Sequence, residues 1–155
     1  MLNVVILAVG KIKEKHWRTA VEEYSARLKP FAKVVIEEVT AEPFRRESDK
    51  EKTKQKEGER FLGALAKYSD SEIIILDERG KEFTSVEFTD FFSREARRIV
   101  FVIGGALGFG ENFAKRSFTK ISLSKMTLPH ELARVVLLEQ IYRAATIAQG
   151  KSYHY

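Results

Sequence analysis

Short, mostly apolar runs alternate along the chain with longer stretches in which apolar residues recur every three or four positions. The runs at Leu2 to Val9, Lys33 to Val39, Glu72 to Leu76, Ile99 to Ile103 and Lys120 to Leu123 predict five strands. The longer stretches predict helices over residues 14–28, stopped by Pro30, and over 54–67, 86–97 and 129–149, with a short one near 111–116. Strands that alternate with helices imply an α/β fold with a mostly parallel sheet flanked by helices. Ile73-Ile74-Ile75-Leu76 is uninterrupted and mostly β-branched, as a central strand covered on both faces should be, and it stops at the turn signal Asp77-Glu78-Arg79-Gly80. Phe101-Val102-Ile103 stops in the same way at Gly104-Gly105. Ligands of such sheets sit beyond the carboxyl ends of the strands, so these two ends are the first candidates.

No linker rich in Pro, Gly or Ser interrupts the 155 residues and no repeat is visible, which predicts one domain over 1–155. The charged stretch from Pro43 to Arg60 mixes both signs and carries Glu47, Glu51 and Lys54 at helical spacings. It reads as the exposed start of a helix, with an arm that contacts RNA as the alternative. The apolar run at Leu2 to Val9 is too short for a bilayer and has no basic residues before it, so it reads as a buried strand and not as a signal peptide. With no membrane segment elsewhere, a cytoplasmic location is expected.

The chain has no cysteine, which excludes a disulfide scaffold, an iron–sulfur cluster, a thiolate zinc site and a cysteine nucleophile. His16, His130 and His154 are scattered and belong to no ligand motif, so no metal is expected, and no G-x-S-x-G nucleophile elbow occurs. The net charge of +5 is unevenly placed: acids and bases balance through residue 112, whereas residues 113–155 hold seven Lys and Arg against Glu131 and Glu139. A phosphate-rich partner would select such asymmetry, and a solvated basic face would also produce it.

Three segments carry candidate chemistry. Gly104-Gly105-Ala106-Leu107-Gly108-Phe109-Gly110 holds four of the nine glycines but fits neither the dinucleotide fingerprint nor the Walker loop, since Glu111 stands where the lysine is required. It is either a tight turn or a site for a ligand without a polyphosphate. Downstream, Ser122-Leu123-Ser124-Lys125-Met126-Thr127-Leu128-Pro129 runs into a helix start, where unpaired N–H groups favour polar or anionic ligand groups. His130 and Arg134 share one face of that helix, and a cation at the positive end of the dipole gains nothing from helix electrostatics; His130 is either a capping histidine or a functional one. The helix itself is apolar over most of its circumference, which suits a core position or a subunit interface. Within it, Glu139 and Arg143 have the spacing of an i,i+4 pair. Beyond Gly150, Lys151, Tyr153 and His154 combine charge with stacking faces, as RNA-binding segments do, although a frayed terminus has the same composition.

Taken in order and spacing, these residues resemble the ribosomal RNA large subunit methyltransferase H family of the SPOUT superfamily. The blocks that carry the likeness are Ala8-Val9-Gly10-Lys11, Leu76 to Lys81, Phe101 to Gly108, Ser122 to Thr127, Pro129-His130, Leu138 to Ala144 and Tyr153-His154, with Ser152 standing where the family has proline. The resemblance implies a SPOUT fold with a C-terminal trefoil knot and S-adenosyl-L-methionine as cofactor, held by Leu76, Gly104, Leu123, Ser124, Lys125, Met126, Thr127 and Leu128. It further implies a homodimer formed through the C-terminal helix, and methylation of N3 of a pseudouridine in 23S rRNA within the assembled 70S ribosome. Under it, His130 and Arg134 are the expected catalytic pair, the first as proton acceptor and the second as stabiliser of an anion or phosphate, and Arg143, Tyr153 and His154 are expected to hold RNA. The competing expectations are a non-catalytic ribosome-binding or assembly factor on the same fold, and a SPOUT enzyme that acts on tRNA.

Overall fold

All five expected strands form one parallel sheet in the order β2-β1-β4-β3-β5 in a computed structural model that describes residues 1–95 and 97–153. They are β1 (Leu2–Val9), β2 (Ala32–Val39), β3 (Glu72–Glu82), β4 (Ile99–Ile103) and β5 (Thr119–Ser122). The helices are α1 (Lys15–Leu28), α2 (Lys50–Leu65), α3 (Ser85–Arg94), α4 (Glu111–Ala114) and α5 (His130–Ala148). Among the described residues no helix is long and apolar enough to cross a membrane.

Side chains of a strand point alternately to opposite faces, and in β1 both sets are buried. Val4, Ile6 and Ala8 join a core cluster with Ile74, Phe101, Phe88 and Phe92 of α3, and Leu137, Leu138 and Ile141 of α5. Val5, Leu7 and Val9 join the opposite cluster with Ile75, Val102, Phe61 and Leu65 of α2, and Phe113 of α4. The sheet is therefore covered on both faces, which is why its central strands β1 and β4 and the start of β3 are continuously apolar.

Three boundaries differ from the sequence expectation by three or more residues. First, β3 does not end at Leu76 but resumes after an irregularity, because Leu76 and Lys81 both register against Ile121. Gly80 permits this return: a Cβ there would lie 2.7–2.8 Å from the backbone of Lys120 and Ile121, closer than any side chain tolerates. Second, α3 stops at Arg94 rather than Arg97, since Glu95 takes an extended conformation and its carboxylate accepts the Arg97 N–H at 3.0 Å. The start of α3 is fixed by a capping box between Thr84 and Glu87. Third, α2 begins at Lys50, preceded by one 3-10 turn over Glu47–Asp49. The long α5 is not buried all round: Leu137, Leu138, Ile141, Ala144 and Ala145 face the core, whereas Leu132, Val136 and Ile147 remain half-exposed.

Candidate functional site

The irregularity of β3 after Leu76 and the carboxyl ends of β4 and β5 open into one cavity of about 750 Å³. Leu76, Gly104, Leu123, Ser124, Met126, Thr127, Leu128 and His130 all line it, together with Asp77, Glu78 and Phe109. The loop after β5 is braced internally: the Ser122 hydroxyl donates to the Ser124 carbonyl at 2.8 Å, and the Ser124 hydroxyl accepts the Met126 N–H at 2.9 Å. It is also tied across the cavity mouth, where the Thr127 hydroxyl donates to the Glu78 carboxylate at 2.6 Å. Gly104 packs closely against the Phe109 ring, where a Cβ would come to 3.1 Å and the ring would have to give by a few tenths of an ångström.

Lys125, expected among these residues, does not line the cavity; its ammonium stands 3.5 Å from Glu82 on the resumed part of β3. Arg134 does not line it either. Its side chain is only 1% exposed, and its guanidinium donates to the carbonyls of Val9 at 3.1 Å and Gly10 at 2.5 Å and faces Glu38 at 3.4 Å. Arg134 therefore holds the turn after β1, enclosed by the protein. Sequence spacing placed it correctly on the His130 face of α5 but could not show that this face is turned inward.

A second cavity of about 520 Å³ adjoins the first and shares with it Gly105, Ala106, Leu107 and His130. Its walls come from the ends of β1 and β2 and the segment that follows, including Val9, Gly10, Val39, Ala41 and Phe44, and Glu57 of α2 also lines it. Phe44 is 41% exposed, one of few large apolar side chains that face solvent. Glu57 is 6% exposed, and burial raises its carboxyl above the ordinary carboxylate range. Sequence reading missed it by treating its charged surroundings as one solvated surface. A signal existed, since Thr53, Glu57, Phe61 and Leu65 recur every four residues and all four are buried on one face of α2.

His130 stands where the two cavities meet. Its Nδ1 is buried without a hydrogen-bond partner, and burial, reinforced by the Arg134 charge, lowers its pKa below the ordinary histidine value. The imidazole is thus neutral at neutral pH and able to accept a proton.

Arg143 and Tyr153 lie elsewhere. Arg143 pairs with Glu139, as the i,i+4 spacing predicts, donates to the Tyr153 carbonyl at 3.2 Å and sits 4.9 Å from the centre of the Tyr153 ring. The Tyr153 ring in turn meets Tyr142 edge-on at 4.7 Å. Thirteen residues of helix separate Arg143 from His130, roughly 20 Å at 1.5 Å per residue. One chain therefore does not bring its own Arg143 beside the cavities. His154, expected to act with them, lies outside the described residues. Among the described residues no group of His, Asp and Glu is arranged to hold a metal ion.

Comparison with known proteins agrees with this architecture. The family model described as "Predicted SPOUT methyltransferase" matches residues 2–154. Proteins named ribosomal RNA large subunit methyltransferase H from Kosmotoga olearia and Clostridium tetani are 40% and 42% identical to this chain; each alignment covers 99% of this chain, and 100% and 99% of theirs. In fold, the chain is similar to a methyltransferase from Legionella pneumophila solved with bound S-adenosylmethionine, at 16% identity and a TM-score of 0.50, over 93% of this chain and 66% of that one. With the family model matched almost end to end and full-length relatives at this identity, the chain belongs to the SPOUT methyltransferase family.

Proposed function

We propose that this protein transfers the methyl group of S-adenosylmethionine to N3 of a pseudouridine in 23S rRNA, on the assembled ribosome, as a cytoplasmic homodimer of one-domain chains that carry the C-terminal knot. The observation that carries this reading is the junction at His130, where a cavity built by three strand ends meets a second cavity of different lining. A two-substrate transfer needs such a junction, and the names of the full-length relatives give ribosomal RNA as the acceptor.

The residues of the larger cavity fit the cofactor. Its volume lies within the range of small-molecule sites, and Leu76, Leu123 and Leu128 offer apolar surface for an adenine. The Asp77 and Glu78 carboxylates suit a ligand that carries an ammonium and a sulfonium, and the start of α5 suits its carboxylate. No polyphosphate loop is needed, in keeping with the glycine run after β4. When bound, S-adenosylmethionine supplies an electrophilic methyl group on sulfur.

The protein must then align the acceptor nitrogen and take up its proton. Methylation at N3 requires the N3 proton to leave to an acceptor. Neutral His130 is that acceptor, at the wall common to both cavities. Arg134 contributes by fixing the turn after β1 that walls the smaller cavity. Arg143, Tyr153 and His154 serve the RNA across a dimer interface, where the partner's Arg143 can stand beside cavities from which a chain's own Arg143 is remote. The half-exposed Leu132 and Val136 on α5 are the surface such a partner would cover.

The test is to incubate the protein with labelled S-adenosylmethionine and ribosomes lacking the modification, beside free 23S rRNA and bulk tRNA. Nucleoside mass spectrometry then locates the methyl group. Label at N3 of one pseudouridine, on ribosomes alone, is the expected result. Label only in tRNA would replace the substrate, and RNA binding with neither transfer nor cofactor binding would identify a non-catalytic ribosome factor.

A further inference from the structure

Glu57 is a carboxylate on the wall of the smaller cavity, only 6% exposed, and it forms no ion pair among the described residues. One carboxylate oxygen, Oε2, accepts the backbone N–H of Glu42 at 3.1 Å. The other, Oε1, accepts no hydrogen bond among the described residues and lies against Gly105, where a Cβ would come within 3.1 Å of it. The two nearby cations are committed elsewhere: Lys56 and Arg60 both hold the Glu42 carboxylate, at 2.9 and 2.6 Å. Oε1 is not enclosed but opens onto the cavity, and a carboxylate oxygen held on a cavity wall without a protein donor points to a donor that arrives with a ligand.

The geometry narrows the donor. Gly105 belongs to both cavities, so Oε1 stands at the same wall as the junction where methyl transfer is proposed. Phe44 supplies an exposed ring at the cavity rim, and Lys11 and Lys13 supply positive charge. That combination suits a flipped-out nucleotide, with its base between apolar walls and its phosphate outside. Pseudouridine differs from uridine in its free N1–H: with N3 and both carbonyls superposed, uridine presents a C–H at that point. We propose that the Glu57 carboxylate accepts the N1–H of the target pseudouridine, and that this hydrogen bond makes the enzyme prefer pseudouridine to uridine. The inference rests on the substrate reading given above and adds the residue that enforces it.

The substitution Glu57→Gln separates the possibilities. The Glu42 N–H requires an acceptor, so the amide oxygen takes the place of Oε2 and the NH2 group turns toward the base, donor against donor. Large ribosomal particles reconstituted with pseudouridine, uridine or N1-methylpseudouridine at the target are each methylated in single-turnover reactions, and cofactor affinity is read by calorimetry. The native protein is expected to favour pseudouridine over uridine by about 100-fold and to reject N1-methylpseudouridine at least as strongly. In the Glu57→Gln variant the preference is expected to fall below about 10-fold, with cofactor affinity unchanged. The N1-methyl arm needs no variant and stands even if Glu57→Gln folds poorly. Equal rates on pseudouridine and uridine by the native protein, an undiminished preference in the variant, or loss of cofactor affinity in a folded variant would each overturn the inference. No transfer to any particle would instead remove the substrate reading, and this inference with it.

Discussion

The carboxylate of Glu131, in the first turn of α5, accepts the backbone N–H of Lys13 at 2.8 Å, across 118 residues of sequence. This bond fixes the start of α5 against the loop after β1, and so fixes His130 between the two cavities. The Lys13 N–H lowers the Glu131 pKa, helped by the Glu14 N–H and by the charges of His130 and Arg134 and opposed by desolvation. A carboxyl with a depressed folded pKa contributes stability that is present above its unfolded pKa, near 4.5, and is lost as pH falls through the folded value. Glu131→Gln is expected to cost about 1 kcal/mol at neutral pH, the difference between a charged and a neutral acceptor. The melting curves of native protein and variant should converge in acid, as thermal denaturation between pH 7 and pH 3 will show.

Arg134 should behave as a structural residue. Replacing it with Met leaves the Val9 and Gly10 carbonyls without their donor and Glu38 without its cation. A loss of about 3 kcal/mol in urea unfolding is expected, since breaking a buried ionic contact strands its partners. Full stability with selective loss of methyl transfer would show that the guanidinium serves the reaction directly.

His130 should give the reaction its acid limb. Burial lowers its pKa, as do the charges of Arg134 and Lys13, while Glu131 opposes them. The single-turnover rate is expected to rise with pH through that lowered pKa, below 6.5, and then to level off. His130→Ala is expected to lose about 100-fold in rate and to abolish the inflection. A variant that keeps the same profile would assign proton removal to another group.

Gly80→Ala tests the return of β3 onto β5. The added methyl would meet the Lys120 and Ile121 backbone at 2.7–2.8 Å, and backbone cannot move aside as a side chain can. We expect a loss of about 2 kcal/mol in stability, in the range of overpacked core positions, and weaker cofactor binding because the loop after β5 shifts. Gly63→Ala, with open space at its Cβ, is the matched control and should not destabilise.

The pattern of apolar residues was enough to read the five strands and their helices: β1, β4 and the first half of β3 are largely buried and read as plain apolar runs, whereas the edge strands β2 and β5 keep polar residues at their half-exposed positions. Leu76 and Gly104 were legible as the abrupt ends of the apolar runs, and Leu123 as part of the hydroxyl-rich loop that leads into Pro129. The return of β3 was not, since Asp77 to Gly80 has the composition of a turn and only the contact with β5 makes it a strand again. Glu57 was hidden because charge in a sequence is read as exposure, and the four-residue recurrence that buries it emerges only when Thr53 and Phe61 are taken with it. The inward direction of Arg134 depends on where α5 lands, which no local pattern records.

Every strand pair in this sheet is parallel, so no hairpin can form early and serve as a template. Each pairing waits for a crossover to close, and β5, at the sheet edge, has only β3 as its neighbour. The larger cavity uses the irregular middle of β3 and the ends of β4 and β5 together, and therefore exists only after that edge strand has docked. Occupancy of the cleft is in this sense a report on the completion of folding: a chain trapped one strand short has most of its core and no place for the cofactor.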